Sequence, residues 1–297
     1  MKGAERGFLL LGSCLGDPER KPLTTAQLRR LADRVSSMER KEPDRELCRE
    51  DLMRIGYSAD AARRILTLLS QEEQLDWYLR KGKNFGCVPL TRISEGYPAV
   101  LRQRLATESP ACLWAKGDLS ILDGPRISLV GSRDILPENK AFAWEAGRQA
   151  AMQGYVLVSG NARGSDKIAQ TAALRHGGRV ISVVADRLSE KKPVDGVLYL
   201  SEEDYDLEFS AQRALRRNRV IHALGAATLV AQCSLGVGGT WSGTTMNLKA
   251  GWSPVFCFRD GSEAVAQLAQ MGAEIVGMEA LSQLYTLKNT AYTFFDQ

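Results

Sequence analysis

Tyr155-Val156-Leu157-Val158-Ser159-Gly160-Asn161-Ala162-Arg163-Gly164-Ser165-Asp166 is the stretch on which the fold turns. Its first four residues form a short apolar run, expected as a buried strand, and residues 167–176 read as a helix. A glycine-punctuated loop between a strand and a helix start is expected to leave backbone N–H groups unpaired and pointing outward. Such a loop seats a phosphate, of a nucleotide or of a nucleic-acid backbone.

The same strand–loop–helix rhythm extends on both sides. Apolar runs at 127–130, 179–184, 197–200, 228–232, 254–258 and 274–276 read as strands. Amphipathic stretches at 140–153, 209–224, 243–251 and 262–271 read as helices between them. Alternation at this spacing predicts an α/β fold with a doubly wound, mostly parallel sheet. Ligands of such sheets bind beyond the carboxyl ends of the strands.

Residues 1–88 lack strand alternation and are expected to form a small helical accessory domain. Thr24 or Thr25 caps one helix, Ser58 caps another over 59–69, and residues 71–80 form a third that runs into a loop at 81–84. Residues 89–126 are connecting, with a short helical piece at 99–106 and a hairpin signal around Gly117-Asp118. The domains expected are therefore 1–88, a sheet domain at 89–287, and a short tail at 288–297.

Composition narrows the classes. A chain of 297 residues, 44% hydrophobic and 25% charged, is ordinary for a soluble globular protein of one or two domains. The apolar segment Phe8 to Cys14 is too short to span a membrane and lacks a cleavage pattern, so no membrane association or secretion is expected. Six cysteines without CxxC spacing and two histidines point to buried thiols in a cytoplasmic protein, with no metal site. The net charge of +4 is mild. Its distribution says more: Arg213, Arg216, Arg217 and Arg219 fall together, directly after Glu202, Glu203, Asp204, Asp206 and Glu208.

Three loops leave predicted strand ends. Gly131-Ser132-Arg133 offers a sharp turn, a hydroxyl and a forked cation. The second is the quoted stretch, with Ser159, Gly160, Arg163 and Gly164. The third, Gly236 to Thr244, carries Gly239 and Thr240. Together they predict one shared anion site. No GxGxxG follows the first strand and no GxxxxGK[ST] occurs, so nicotinamide binding and ATP hydrolysis are not expected.

These elements resemble the DNA-processing A family (DprA/Smf). Tyr97-Pro98 and Leu113-Trp114-Ala115-Lys116-Gly117-Asp118 resemble its entry segment, and Val130-Gly131-Ser132-Arg133 its VGsR loop. Val158 to Asp166 with Ala169 resembles vSGxAxGiD, and Leu200-Ser201-Glu202 followed by Arg217-Asn218-Arg219-Val220-Ile221 resembles lSE…RNRiI. The likeness covers residues 90–280 or so. It departs from the family at Gln170, where a histidine is usual, at Gln232, where a glutamate is usual, and in the loop around Trp241. From the short tail after Leu287, the C-terminal winged-helix module of many members is not expected.

The resemblance implies an extended Rossmann-like fold that binds single-stranded DNA and hands it to a RecA-type recombinase, with a homodimer among its relatives. It implies Gly131, Ser132, Arg133, Ser159, Gly160, Arg163, Gly164, Arg217, Asn218, Arg219, Gly239 and Thr240 as phosphate contacts. No catalytic residue and no cofactor are expected. The alternative is a nucleotide-binding sensor of the same superfamily in signalling or defence.

Blander readings stand beside these. The arginine run is also what a solvated helix face looks like, and Arg217 or Arg219 can pair with an acid such as Asp166. Asp166 is as well placed to cap a helix as to touch a ligand. His176 reads as a helix C-terminal residue, His222 as a helix-face residue without a catalytic partner, and Cys233 as a buried thiol. Trp241 either stacks on a base or plugs the pocket.

Overall fold

The computed structural model describes residues 3–38 and 46–288; most of the predicted tail lies outside them. Five helices come first: α1 (Gly3–Gly12), α2 (Thr25–Ser36), α3 (Arg49–Arg54), α4 (Ala59–Leu69) and α5 (Glu72–Asn84). Local chemistry sets their starts. Thr24 and Gln27 form a reciprocal capping box on α2, and the Ser58 hydroxyl accepts from the Ala61 N–H at α4. The helix expected at 71–80 runs on to Asn84, so residues 81–84 are its last turn rather than a loop.

The remaining elements are β1 (Val88–Thr91), α6 (Ala99–Leu105), β2 (Cys112–Lys116), β3 (Arg126–Val130), α7 (Pro137–Met152), β4 (Val156–Ser159), α8 (Ser165–Arg175), β5 (Arg179–Val184), β6 (Val197–Ser201), α9 (Ala211–Leu224), β7 (Thr228–Val230), α10 (Gly238–Ala250), β8 (Val255–Phe258), α11 (Glu263–Gln270) and β9 (Glu274–Val276). The nine strands form one sheet in the order β1-β2-β6-β5-β4-β3-β7-β8-β9. From β6 to β9 the neighbours are parallel; β1 and β2 add an antiparallel edge. The doubly wound α/β expectation is met. The hairpin at Gly117-Asp118 is not: residues 119–123 form a 3₁₀ turn, and β2 pairs with β1 and β6 instead.

Period-2 alternation assigns the two faces. Val156 and Val158 pack with Val220, Ile221 and Leu268 on one side, whereas Leu157 packs with Phe142, Ala146 and Ala169 on the other. The chain moves outward from β3 through β6, then returns beside β3 as β7. The carboxyl ends of β3 and β7 therefore mark the reversal point of the sheet, the place where doubly wound folds bind ligands.

The helices α1–α5 bury a leucine-rich cluster of their own, including Leu28, Leu52 and Ile65. They join the sheet through the acidic run after β6. Asp204 accepts from the Ser13 hydroxyl (2.7 Å) and the Gly16 N–H (2.9 Å), and Asp206 holds the Tyr78 hydroxyl (2.6 Å) and Lys81 (2.8 Å). Tyr205 stacks on Tyr78 at 4.4 Å between ring centres. Part of the acidic run is thus spent on fastening the helical layer.

His222 lies on the buried side of α9, inside a polar network with Asn247, Thr228 and Ser253. Asn247 Nδ2 donates to the ring Nδ1 at 3.2 Å, which fixes a neutral ring. Burial pushes its pKa down from 6.5 to about 3. A group depressed on folding stabilises fully above its unfolded pKa and loses that contribution as pH falls toward the folded value. Asp166, raised by burial to about 6, acts with the opposite sign over its own window, from about pH 6 down to 3.8. Comparison with His222→Gln isolates the histidine. Urea denaturation should show the difference in unfolding free energy between wild type and variant narrowing by about 2 kcal/mol from pH 6.5 to pH 5; parallel pH profiles would assign the acid sensitivity elsewhere.

Candidate functional site

At the carboxyl ends of β3, β4 and β5 a cleft encloses about 500 Å³. Its walls are Arg133 from the loop after β3, residues 160–163 after β4, Ala185, Asp186 and Lys191 after β5, and Phe209 and Arg217 at the start of α9. Four of the expected contact residues therefore face the cleft: Arg133, Gly160, Arg163 and Arg217. The other eight do not line it.

The loop quoted at the outset uses part of its amides internally, while the Asn161, Arg163 and Gly164 N–H groups have no acceptor among the described residues. The Gly160 and Ala162 N–H groups both turn inward and donate to one carboxylate oxygen of Asp166, each at 3.1 Å. The expectation of outward-pointing donors is narrowed by two amides, because the loop carries its own internal anion. Asp166 is buried at the start of α8. Burial raises its pKa to about 6, opposed by nearby Arg217 and by the two backbone donors.

Arg217 completes this frame. Its guanidinium donates to the carbonyls of Gly160 (2.6 Å), Val183 and Ala214 (3.3 Å). It is 8% exposed, and burial pulls its pKa down. Arg217 thus clamps the end of β5 to the loop after β4, with its donors aimed at the protein. Gly160 is glycine because a Cβ there would collide with that guanidinium.

The turn chemistry is equally closed. Gly164 has φ +83°, and a side chain on it would strike the carbonyls of Ser132 and Arg133. The Ser132 carbonyl accepts from the Ser165 N–H (3.2 Å) and hydroxyl (3.0 Å), and the Ser132 N–H donates to the Gln232 carbonyl (2.9 Å). Gly131 leaves room for Ser165. Ser159 is fully buried and accepts from Gln170 Nε2 at 2.6 Å. Gly131, Ser132, Ser159 and Gly164 build the floor of the site and offer a ligand little surface. Gln170 is part of that floor.

The exposed chemistry is different in kind. Arg133 is exposed, makes no ion pair among the described residues, and lies 6.0 Å over the ring of Phe209. Phe209 is 55% exposed. Arg163 pairs with Asp134 at 2.6 Å, but both side chains stand largely in water, where such a pair is weak. Lys191 pairs with Asp186 at 2.6 Å. Three cations and one upright aromatic ring thus border the cleft.

The rest of the arginine run is engaged elsewhere. Arg213 and Arg216 hold the two carboxylate oxygens of Glu203 at 2.7 and 3.0 Å, and Arg219 pairs with Glu202. Asn218 donates to the Gly239 carbonyl at 2.9 Å and so ties α9 to α10. Gly239 and Thr240 are not in a loop: α10 begins at Gly238. Of Arg219, Asn218, Gly239 and Thr240, none reaches the cleft. Trp241, on α10, is partly buried against the core and does not line the cleft.

Residues 89–286 match the family described as DNA recombination-mediator protein A. The chain belongs to that family. Over 204 residues it is 30% identical to Protein Smf of Escherichia coli (strain K12), covering 62% of this chain and 51% of that protein. Over 166 residues it is 28% identical to DNA processing protein DprA of Bacillus subtilis (strain 168), covering 52% and 54%. The chain spans about half the length of the curated relatives it matches. The crystal structure of DprA from Streptococcus pneumoniae superposes with a TM-score of 0.74 at 23% identity, over 97% of this chain and 99% of that one. It shares the fold. The structure of DNA processing protein A from Helicobacter pylori, described for its single-stranded DNA binding mode, gives a TM-score of 0.55 at 25% identity, over 67% and 93%.

Two cleft residues escaped sequence reasoning, Phe209 and Lys191. Lys191 sits in a connecting segment without any motif. Phe209 carried a weak signal: it directly precedes the Ser210 N-cap of a basic helix, and the N4 position it would pack on is the small Ala214.

Proposed function

We propose that this member of the DNA recombination-mediator protein A family binds single-stranded DNA in the cleft bounded by Arg133, Arg163, Lys191 and Phe209. The observation that carries this is the pairing of an exposed Arg133, which makes no ion pair among the described residues, with the exposed ring of Phe209. Cations that meet phosphates and an aromatic face that accepts any unstacked base are what sequence-tolerant strand binding requires. A duplex keeps its bases stacked and has none to give the ring. The H. pylori relative, described for its single-stranded DNA binding, supports the same ligand.

In this reading the protein is a binding protein and not a catalyst. It works in the cytoplasm as a homodimer and passes its strand to a RecA-type recombinase. The nucleotide-sensor alternative gains no support from this cleft, because Trp241, the stacking residue it relied on, does not line it.

Fluorescence anisotropy with a labelled oligothymidylate, repeated from 50 to 300 mM salt, is the test. Three phosphate-facing cations predict a log–log slope of about −2, at roughly 0.7 per neutralised phosphate. Mononucleotides at millimolar concentration should fail to compete. Absence of binding at 50 mM salt, or full competition by a mononucleotide, would overturn the assignment.

A further inference from the structure

We infer that the α9 face carrying Arg213 and Arg216 is a second phosphate subsite, held closed by Glu203 acting as an internal phosphate mimic. The inference rests on the single-stranded DNA reading of the main cleft. A narrow crevice at the ends of β5 and β6 continues that cleft: it shares Ala185 and Arg217 with it, and adds Ser201, Glu202, Glu203 and Arg213. Beyond it, Glu202, Glu203 and Arg216 border a third cavity of about 470 Å³ against the helical layer. The three form one track along the carboxyl ends of the sheet. Only the middle is closed, with about 10 Å³ of free space.

Glu203 stands at that constriction. Its two oxygens bridge the guanidinium groups of Arg213 and Arg216. Two oxygens of a phosphodiester present the same fork to the same donors. The Arg216 arm of the bridge is exchangeable: Arg216 is 53% exposed and Glu203 26%, and partly solvated ion pairs contribute little to stability, whereas Arg213 is 12% exposed. Arg213 is further held by the Glu208 carbonyl, so it stays in place when the carboxylate leaves. A strand that fills the main cleft and continues toward the helical layer meets this pair next.

The experiment is an anisotropy titration of the full chain with oligothymidylates long enough to pass the cleft. Glu203→Gln should raise affinity three- to tenfold and steepen the log–log salt slope by about 0.7 to 1.4, the increment for one or two added phosphates. Arg216→Ala should change wild-type affinity less than twofold, yet return the Glu203→Gln variant to wild-type affinity. Glu208→Gln removes the same charge from a carboxylate that holds Arg187 at 2.5 Å instead, and should give no such gain. Equal affinity and slope for wild type and Glu203→Gln, or an equal gain from Glu208→Gln, overturns the subsite and leaves the main cleft standing. Absence of binding by wild type and Glu203→Gln alike overturns both.

Discussion

Arg217→Met is expected to lower the unfolding free energy by about 3–5 kcal/mol, the range for breaking a buried charge arrangement by removing one partner. The side chain is 8% exposed, so no water replaces the lost donors. The Gly160 and Val183 carbonyls lose their guanidinium, and the Asp166 carboxylate loses the cation that opposes its desolvation. Urea denaturation at pH 7.5, where Asp166 is ionised, reads the effect. At pH 5 the loss should shrink, because a protonated Asp166 no longer needs the counter-charge. Adding Asp166→Asn to Arg217→Met should recover part of the loss, since no buried charge is then left alone. A loss below 1 kcal/mol at pH 7.5 would mean that Arg217 is an accessible ligand contact and not a clamp.

That prediction shows where sequence reasoning stops. The Arg-Asn-Arg segment was legible as something important next to the glycine loops, but arginine types do not reveal which way the guanidinium points. Arg217 turns inward because α9 packs across β4 and β5, and Arg219 turns toward Glu202 two positions further on. Both facts depend on strand order, which no local pattern encodes. The same holds for Asp166: a carboxylate one residue into a helix looks like a cap or a ligand contact, whereas here it reaches back to bind the amides of its own loop.

The fold itself was far more legible. Each parallel strand from β3 to β8 is a short, largely apolar run, because burial on both faces removes the polar alternation and leaves a signal that is hard to miss. What escaped were the elements whose chemistry is ambiguous. β1 contains Pro89 and sits at an edge, where the missing N–H is tolerated. Gly117 looked like the turn of a hairpin, but its φ of +120° and its approach to the Val197 carbonyl show close backbone packing against β6. The glycines of 236–239 looked like one loop, although the helix begins among them at Gly238.

The largest effect on ligand binding is expected from the pair Arg133 and Phe209. Arg133→Ala removes the one exposed cleft cation that makes no ion pair among the described residues. Phe209→Ala removes a ring whose stacking on a base is worth roughly 1–3 kcal/mol. Each single change should weaken binding of an oligothymidylate about tenfold, and the double variant by more than either single but by less than the roughly hundredfold product. The two losses should also differ in kind. Arg133→Ala should reduce the log–log salt slope by about 0.7, the share of one phosphate, while Phe209→Ala should leave the slope unchanged. Because the guanidinium lies over the ring, the two are coupled, and the double variant should depart from the sum of the singles by a measurable interaction energy. Neither residue is buried, so both variants should keep wild-type unfolding midpoints. Unaltered affinity in the double variant, with the fold intact, would move the DNA site away from this cleft.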